Sequence, residues 1–373
     1  MKQLYIENFK GIESENISFK KLTVLAGENG AGKSTVIQVL SIIKQSYDIH
    51  KLPIENIKSF YLNDYYCELG TFRDILYCEA KQDLMLFGFR NEGEEVFFEC
   101  VEDKENTMQL KINHISLKGI PLTRGKKNFV DRFMSDFDFI SADRFGPKTF
   151  YHVDGNFSTK KVGKYGEYTG VLLGKLKSDH VFFHNLNKVL QNIFGYVEIL
   201  ADHLDGVNIS LLQITNSTTK SLGYKNPVNM PYGVSYVLPI IVSCLLRDPS
   251  RYKKHEKKEF ESIIENPVVV VENPEAHLHP AAQSKLGVFL AQMAANGVQI
   301  ILETHSDHII NGIRKAIKNK IISHQDVIFN FFEKSENVGE NNIFEIYPFE
   351  NGVLSNWPKG FFDQYENDLL ELI

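Results

Sequence analysis

The stretch KLTVLAGENGAGKSTVIQVLSIIK, residues 21–44, constrains the fold more than any other. It contains Gly27-Glu-Asn-Gly-Ala-Gly32-Lys33-Ser34, a full match to GxxxxGK[ST]. Leu22 to Ala26 form a short apolar run before it. After it Val36, Ile37, Val39, Leu40, Ile42 and Ile43 recur at helical spacing. Strand, glycine loop and helix therefore stand in the order of a phosphate loop, with backbone N–H groups and a helix N-terminus turned toward an anion. On this reading Asn29, Gly30, Gly32, Lys33, Ser34 and Thr35 hold a nucleoside triphosphate, ATP. Lys33 reaches the β and γ phosphates and Ser34 ligates Mg²⁺. The alternative is a glycine turn that merely joins strand to helix, but six constrained positions in the right context rarely coincide.

The rest of the 373-residue chain suits a soluble globular protein, with 43% apolar and 24% charged residues. MKQLYIENFK lacks the apolar core of a signal peptide, and Val237 to Leu246 is too short to span a bilayer, so a cytoplasmic protein without membrane contact is expected. Cys67, Cys78, Cys100 and Cys244 are scattered without a CxxC pair, which points to buried free thiols rather than zinc or disulfides. A net charge of −6 excludes a surface coated with positive charge, so any DNA or RNA contact would be a local patch.

The opening LYIENFKGIESENISFKKLTVLAGENGAGKST resembles the heads of SMC-like and OLD-like ABC-type ATPases, whose first strand ends in an Asn-Phe-Lys element, here Asn8, Phe9 and Lys10. The resemblance continues in ISADRFGPKTFY (140–151), GEYTGVLL (166–173) and NWPKGFFDQ (356–364), which look like compact bacterial ATPases with a C-terminal domain of unknown function. It implies an α/β phosphate-loop NTPase of ABC/SMC-head type, with a mixed central sheet, an antiparallel β-subdomain and a helical subdomain. In YLNDYYCELGTFRDILY (61–77) no glutamine marks a Q-loop, which leaves Asn63 as the candidate there. The resemblance also implies a homodimer whose signature loop completes the partner's ATP site. The nearest match is NMPYGVSYVLPI (229–240), with Gly233 and Ser235 in the matching places and Pro231 and Tyr236 departing from them. A loop opening a helix, with Ser235 as its cap, would read similarly.

In VVVVENPEAHLHP (268–280) four valines suit a strand buried on both faces, with acid at its end. By resemblance Glu272 holds the Mg²⁺ water shell, and Asn273 stands where the general base is usual. An amide cannot take that proton, which leaves Glu275, across Pro274, as the alternative base. Glu275, His277 and His279 could also bind a metal as ExHxH; with no defined further ligand, a D-loop between subunits is favoured. ETHSDH (303–308) resembles a switch-histidine element, with His305 at the γ-phosphate.

The expected organisation is a nucleotide-binding lobe with an antiparallel β-subdomain at 1–140, a helical and signature subdomain at 141–260, and at 261–373 the acid strand, D-loop, switch histidine and a terminal β-element. No heptads separate the halves, and the short tail leaves no room for the TOPRIM nuclease domain of OLD enzymes. Basic runs occur at 124–132, 159–168 and 251–259, and the middle one, with Tyr165 and Tyr168, best suits nucleic acid. The expected function is a slow, ATP-dimerised switch ATPase for a separately encoded effector such as a nuclease, in anti-phage defence or DNA surveillance. The rival is a stand-alone DNA-repair ATPase; a transporter subunit is disfavoured by the missing LSGGQ-like signature.

Overall fold

The computed structural model describes residues 1–119, 127–152, 161–204, 209–215, 223–229, 232–253, 266–334, 341–358 and 364–372. Along the chain lie β1 (Gln3–Phe9), β2 (Ile12–Ser18), β3 (Leu22–Gly27), α1 (Lys33–His50), β4 (Ser59–Tyr61), α2 (Phe72–Ile75), β5 (Leu84–Asn91), β6 (Glu94–Glu102), β7 (Gln109–Lys118) and α3 (Phe129–Ser135). They are followed by β8 (Phe137–Ile140), β9 (Phe150–His152), α4 (Thr169–Lys175), α5 (His180–Phe194), β10 (Glu198–Leu204), β11 (Ile209–Thr215), α6 (Tyr232–Arg247), α7 (Ser250–Lys253) and β12 (Val268–Glu272). The last elements are α8 (Pro280–Asn296), β13 (Gln299–Glu303), α9 (Asp307–Lys318), β14 (Val327–Lys334), β15 (Asn341–Ile346) and α10 (Gln364–Leu372). These elements form two compact units, one of Met1–Phe137, His324–Phe349 and Leu354–Ile373, the other of Asp138–Ser323 and Glu350–Val353.

In the first unit an antiparallel sheet runs in the order β2-β1-β5-β6-β7-β4. Alternation builds it: Met85, Phe87 and Phe89 of β5 and Val96, Phe98 and Cys100 of β6 are buried. Phe87 meets Phe9 edge-on at 5.5 Å, and Phe98 meets Phe60 at 5.1 Å. The β5–β6 hairpin turns through Glu92 and Gly93, both at positive φ, the two-residue geometry that matches strand twist. Nearby, β14 pairs in parallel with β3 and antiparallel with β15. Helix α1 buries Val36, Ile37, Val39, Leu40, Ile42 and Ile43, and is therefore a core helix rather than a surface one.

In the second unit β12 pairs in parallel with β13, and all four valines of β12 are buried. The segment read as helical also holds a three-stranded sheet, β10-β11-β9, whose alternating inward residues include Ile199, Leu212 and Ile214. Helices α8 and α9 cross where a Cβ on Gly287 would lie 2.3 Å from the Ile309 carbonyl oxygen, and one on Gly312 2.1 Å from that of Ser284. Among the described residues no helix is long and apolar enough to cross a membrane. The cysteines are free thiols; Cys67, Cys100 and Cys244 are buried as expected, whereas Cys78 is exposed.

One ion pair is enclosed in the second unit. The Arg247 guanidinium lies 2.9 Å from the Asp138 carboxylate, both side chains 2% exposed, and the Ser243 hydroxyl donates to the same carboxylate at 2.6 Å. Losing one partner strands a charge in a low-dielectric interior. Arg247→Leu is expected to lower unfolding free energy by about 3–5 kcal/mol in a urea titration, and Asp138→Leu in the same chain to restore most of it. Additive losses in the double variant would mean that the pair is not coupled.

Candidate nucleotide and hydrolytic sites

The phosphate loop lies in the first unit, between β3 and α1. Gly27 has a φ of 132°, and a Cβ there would fall 2.0 Å from the Phe332 carbonyl oxygen of β14. Both the backbone angle and the close approach demand glycine at this position. The Glu28 N–H donates to that same oxygen at 3.0 Å, which fixes the first turn of the loop to the sheet. Gly32, at φ 98°, precedes the first residue of α1, and no side chain caps this end. An uncapped N-terminus keeps its N–H donors and positive dipole end directed at an anion. The Lys33 ammonium donates to the Gly27 carbonyl at 2.9 Å and to that of Glu28, so the cation is held over the loop. Asn29 and Gly30 lie in the loop itself, and Ser34 and Thr35 in the first turn of α1.

Two flanking features read from the sequence gain a physical reason. Asn8, near the end of β1, and Lys10, in the β1–β2 turn, have φ of 57° and 54°, with Phe9 buried between them. The Lys10 ammonium reaches Gln38 of α1 at 2.9 Å, which ties the turn to the helix behind the phosphate loop. The Asn63 amide donates to the Gly70 carbonyl at 2.7 Å and accepts the Gly70 N–H at 2.8 Å, so both ends take part in closing a local loop.

The hydrolytic residues lie in the second unit. Glu272 ends β12, in register with Glu303 at the end of β13. Its carboxylate accepts the Ala142 N–H at 3.2 Å, and burial raises its pKa, opposed by that bond, by Ser141, and by the Lys164 and Arg144 cations. Asn273 follows with φ 41°, and its N–H donates to the Glu303 carbonyl at 2.9 Å. Asparagine adopts this left-handed conformation more readily than most residues, so its presence has a backbone reason beside any catalytic one.

Glu275, His277 and His279 turn in three directions. The Glu275 carboxylate accepts the Thr304 hydroxyl and the His305 N–H, each at 2.7 Å, and so links the D-loop-like segment to the switch segment. The His277 ring packs 4.4 Å from Tyr236, and the His279 Nδ1 accepts the Ala281 N–H to cap α8. Among the described residues no cluster of three or more histidine, cysteine or acidic side chains could hold a metal. The His305 side chain is exposed, while Ser306 caps α9 through the Ile309 N–H at 3.1 Å.

In the signature-like segment Met230 and Pro231 lie outside the described residues. Tyr232 is the first residue of α6, so Ser235 lies within the first turn and is not the capping residue. A Cβ on Gly233 would come within 2.7 Å of the His277 carbonyl oxygen, so glycine lets α6 approach the segment that follows Glu275. Tyr236, which departs from the signature pattern, packs its ring at a tilt of 51° against His277. In the middle basic run Tyr165 stacks on Phe145 at 5.6 Å, so one ring face is already covered. Residues 124–126, 159–160 and 254–259 of the basic runs, and 359–363 of the terminal block, lie outside the described residues.

Sequence reasoning missed Arg144. Its guanidinium donates to the carbonyls of Ser141 (2.7 Å), Glu272 (2.6 Å) and Asn273 (2.7 Å), and the Tyr236 ring centre lies 5.8 Å from it. Burial lowers its pKa to about 10, opposed by Glu275 and Glu272, so it stays charged at neutral pH. The signal available in the sequence is ADRFGP, an arginine between small and turn residues. A planar fork serves several carbonyls at once and an ammonium does not. Arg144→Lys is therefore expected to slow ATP turnover by about 10-fold or more while ATP affinity changes by less than about 3-fold. Equal losses in turnover and calorimetric affinity would count against a positioning role.

Comparison with known proteins agrees with this geometry. Residues 1–162 match the family described as AAA ATPase domain, 163–311 the family described as AAA domain, putative AbiEii toxin, Type IV TA system, and 322–372 the protein of unknown function DUF3696. The Old nuclease of Escherichia phage P2 is 23% identical over 348 residues, covering 83% of this chain, which spans only 57% of that relative's length. An SmcHead bound to the C-winged helix domain of ScpA superposes with a TM-score of 0.52 at 12% identity, covering 93% of this chain and 98% of that one. An Smc head domain with an extended coiled coil, bound to the C-terminal domain of ScpA derived from Pyrococcus furiosus, gives 0.51 at 10% identity, covering 100% and 98%. Residues 1–162 and 163–311 thus belong with AAA ATPase domains and 322–372 with DUF3696, on an α/β phosphate-loop NTPase fold that resembles the SMC head, with a distant likeness to the Old nuclease.

Proposed function

We propose that this ATPase is a slow, ATP-dimerised switch that controls a separately encoded effector of nuclease kind, in the cytoplasm, in anti-phage defence or DNA surveillance. The observation that carries the slow-switch reading is the amide at Asn273, beside an acid at Glu272. Backbone donors, the helix end and Lys33 bind the phosphates. The Ser34 hydroxyl and the Glu272 carboxylate are hard oxygen donors of the kind Mg²⁺ takes, and a cation would counter the burial that raises the Glu272 pKa. When bound, Mg²⁺ would supply charge stabilisation at the phosphates. His305 would contact the γ-phosphate, and Gly233 and Ser235 would act on the nucleotide of the second copy. The defence setting is supported by the descriptions of the toxin–antitoxin family and the phage nuclease that the chain resembles.

Lys33→Ala is expected to abolish ATP binding in calorimetry, because it removes the cation fixed over the loop, and to abolish ATP-dependent self-association in light scattering. Unchanged ATP affinity would reject the site, whereas a wild-type chain that binds ATP and stays monomeric would reject only the dimer.

Turnover tests the switch itself. General-base catalysis contributes ~10²- to 10⁴-fold, so a site without one binds normally and hydrolyses slowly. Asn273→Glu is expected to raise kcat by roughly 10-fold or more, even though glutamate is strained at this φ by about 1–2 kcal/mol. Asn273→Gly, which suits the same backbone, should leave kcat low. If wild type already turns over at about 1 s⁻¹ or faster and Glu275→Gln stops it, Glu275 is the base and the chain is not a slow switch.

A further inference from the structure

A basic cavity of about 590 Å³ lies in the second unit beside the crossing of α8 and α9, and none of the residues assigned to ATP above lines it. Its charge comes from α9, where Arg314, Lys315 and Lys318 recur at helical spacing, with His308 and Asn311 on the same wall. Ser284 of α8 and the 351–353 turn complete it, and the lining contains no acidic side chain. His308 faces Asp307 at 3.6 Å, so Arg and Lys supply the positive field.

The walls are built rather than incidental. The glycine crossing brings the two helices too close for side chains at 287 and 312, which fixes α8 against α9 beside the notch. Arg314 donates through Nε to the Gly352 carbonyl at 2.8 Å and through Nη1 to the Asn311 amide oxygen at 2.8 Å, which orients its guanidinium plane. Lys315 reaches the Ser284 hydroxyl at 3.1 Å across the notch. Arg314, Lys315 and Lys318, on a chain of net charge −6 and with neutral amide and hydroxyl groups between them, offer charge-assisted bonds suited to a multiply charged oxyanion.

We propose that this notch binds phosphate groups at a second site, distinct from the phosphate loop. Two sources share that chemistry, a nucleic-acid backbone and a free polyphosphate. The test uses the full-length Lys33→Ala chain, so that the phosphate loop is silent, with two probes: a single-stranded oligonucleotide of about 20 residues lacking terminal phosphates, and inorganic tripolyphosphate. Adding Lys315→Glu and Lys318→Glu is expected to weaken the source that binds by about 10-fold. If that source is the oligonucleotide, its salt dependence should fall by about one to two units of log Kd per log salt. Oligonucleotide binding alone assigns the backbone, tripolyphosphate binding alone a small ligand, and both together the shared anion chemistry. The proposal is overturned if neither probe binds the parent chain, or if charge reversal changes the affinity of the binding probe by less than about 3-fold. Should the double reversal fail to fold by circular dichroism, Lys318→Glu alone is read against the same 3-fold limit.

Discussion

Two adjacent parallel strands made of valine and isoleucine can carry charge only at their ends, and that constraint organises the second unit. The buried β12 and β13 deliver Glu272 and Glu303 side by side at one edge, where two carboxylates and reversing backbone need compensation. Arg144 supplies it by donating to the carbonyls where the chain leaves β12. The carbonyls of Glu272 and Asn273 would otherwise be left without these donors in a poorly solvated place, at about 1–3 kcal/mol each. One buried guanidinium thus fixes the acid strand, touches the ring of Tyr236, and through Tyr236 meets His277.

The same economy holds at the phosphate loop. Its glycine is dictated twice, by φ and by the Phe332 carbonyl, so the loop cannot relax without β14 moving as well. Lys33 is tied to the loop carbonyls of Gly27 and Glu28, which holds its charge over the loop. A ligand phosphate there would gain a charge-assisted bond.

How much of this was legible in the sequence depended on whether the cause was local. The phosphate loop is a local pattern, and its strand, turn and helix fell where periodicity and glycine spacing put them. The valine run of β12 was readable for the same reason. Arg144 was not, because what it holds lies about 130 residues away and no spacing rule links an arginine to distant carbonyls. Ser235 as a cap failed because α6 begins earlier, at Tyr232, in a stretch without a distinctive stop signal. The strands β10 and β11 carry a signal that the helical reading passed over: Asp205-Gly206 stands between two alternating runs, EILADHL and ISLLQIT, and such a pair marks hairpins. Asn63, a residue in the right region of a resemblance, takes part in closing its own loop.

Asn273 can be understood only when both of its constraints are kept together. A left-handed φ of 41° favours glycine, asparagine and aspartate and disfavours glutamate. The residue set allowed by the backbone therefore contains one possible base, aspartate, and the chain carries its uncharged isostere instead. Steric demand alone does not choose between asparagine and aspartate, since the two share size and conformational preference; charge does. A carboxylate at 273 would join Glu272 and Glu303 at the same strand edge, near one arginine whose donors already serve carbonyls, and repulsion among three acids would oppose it. The amide thus follows from electrostatics at this edge as much as from any selection for slow chemistry. The acid pair that the fold places at this edge is by itself reason enough for an amide at 273.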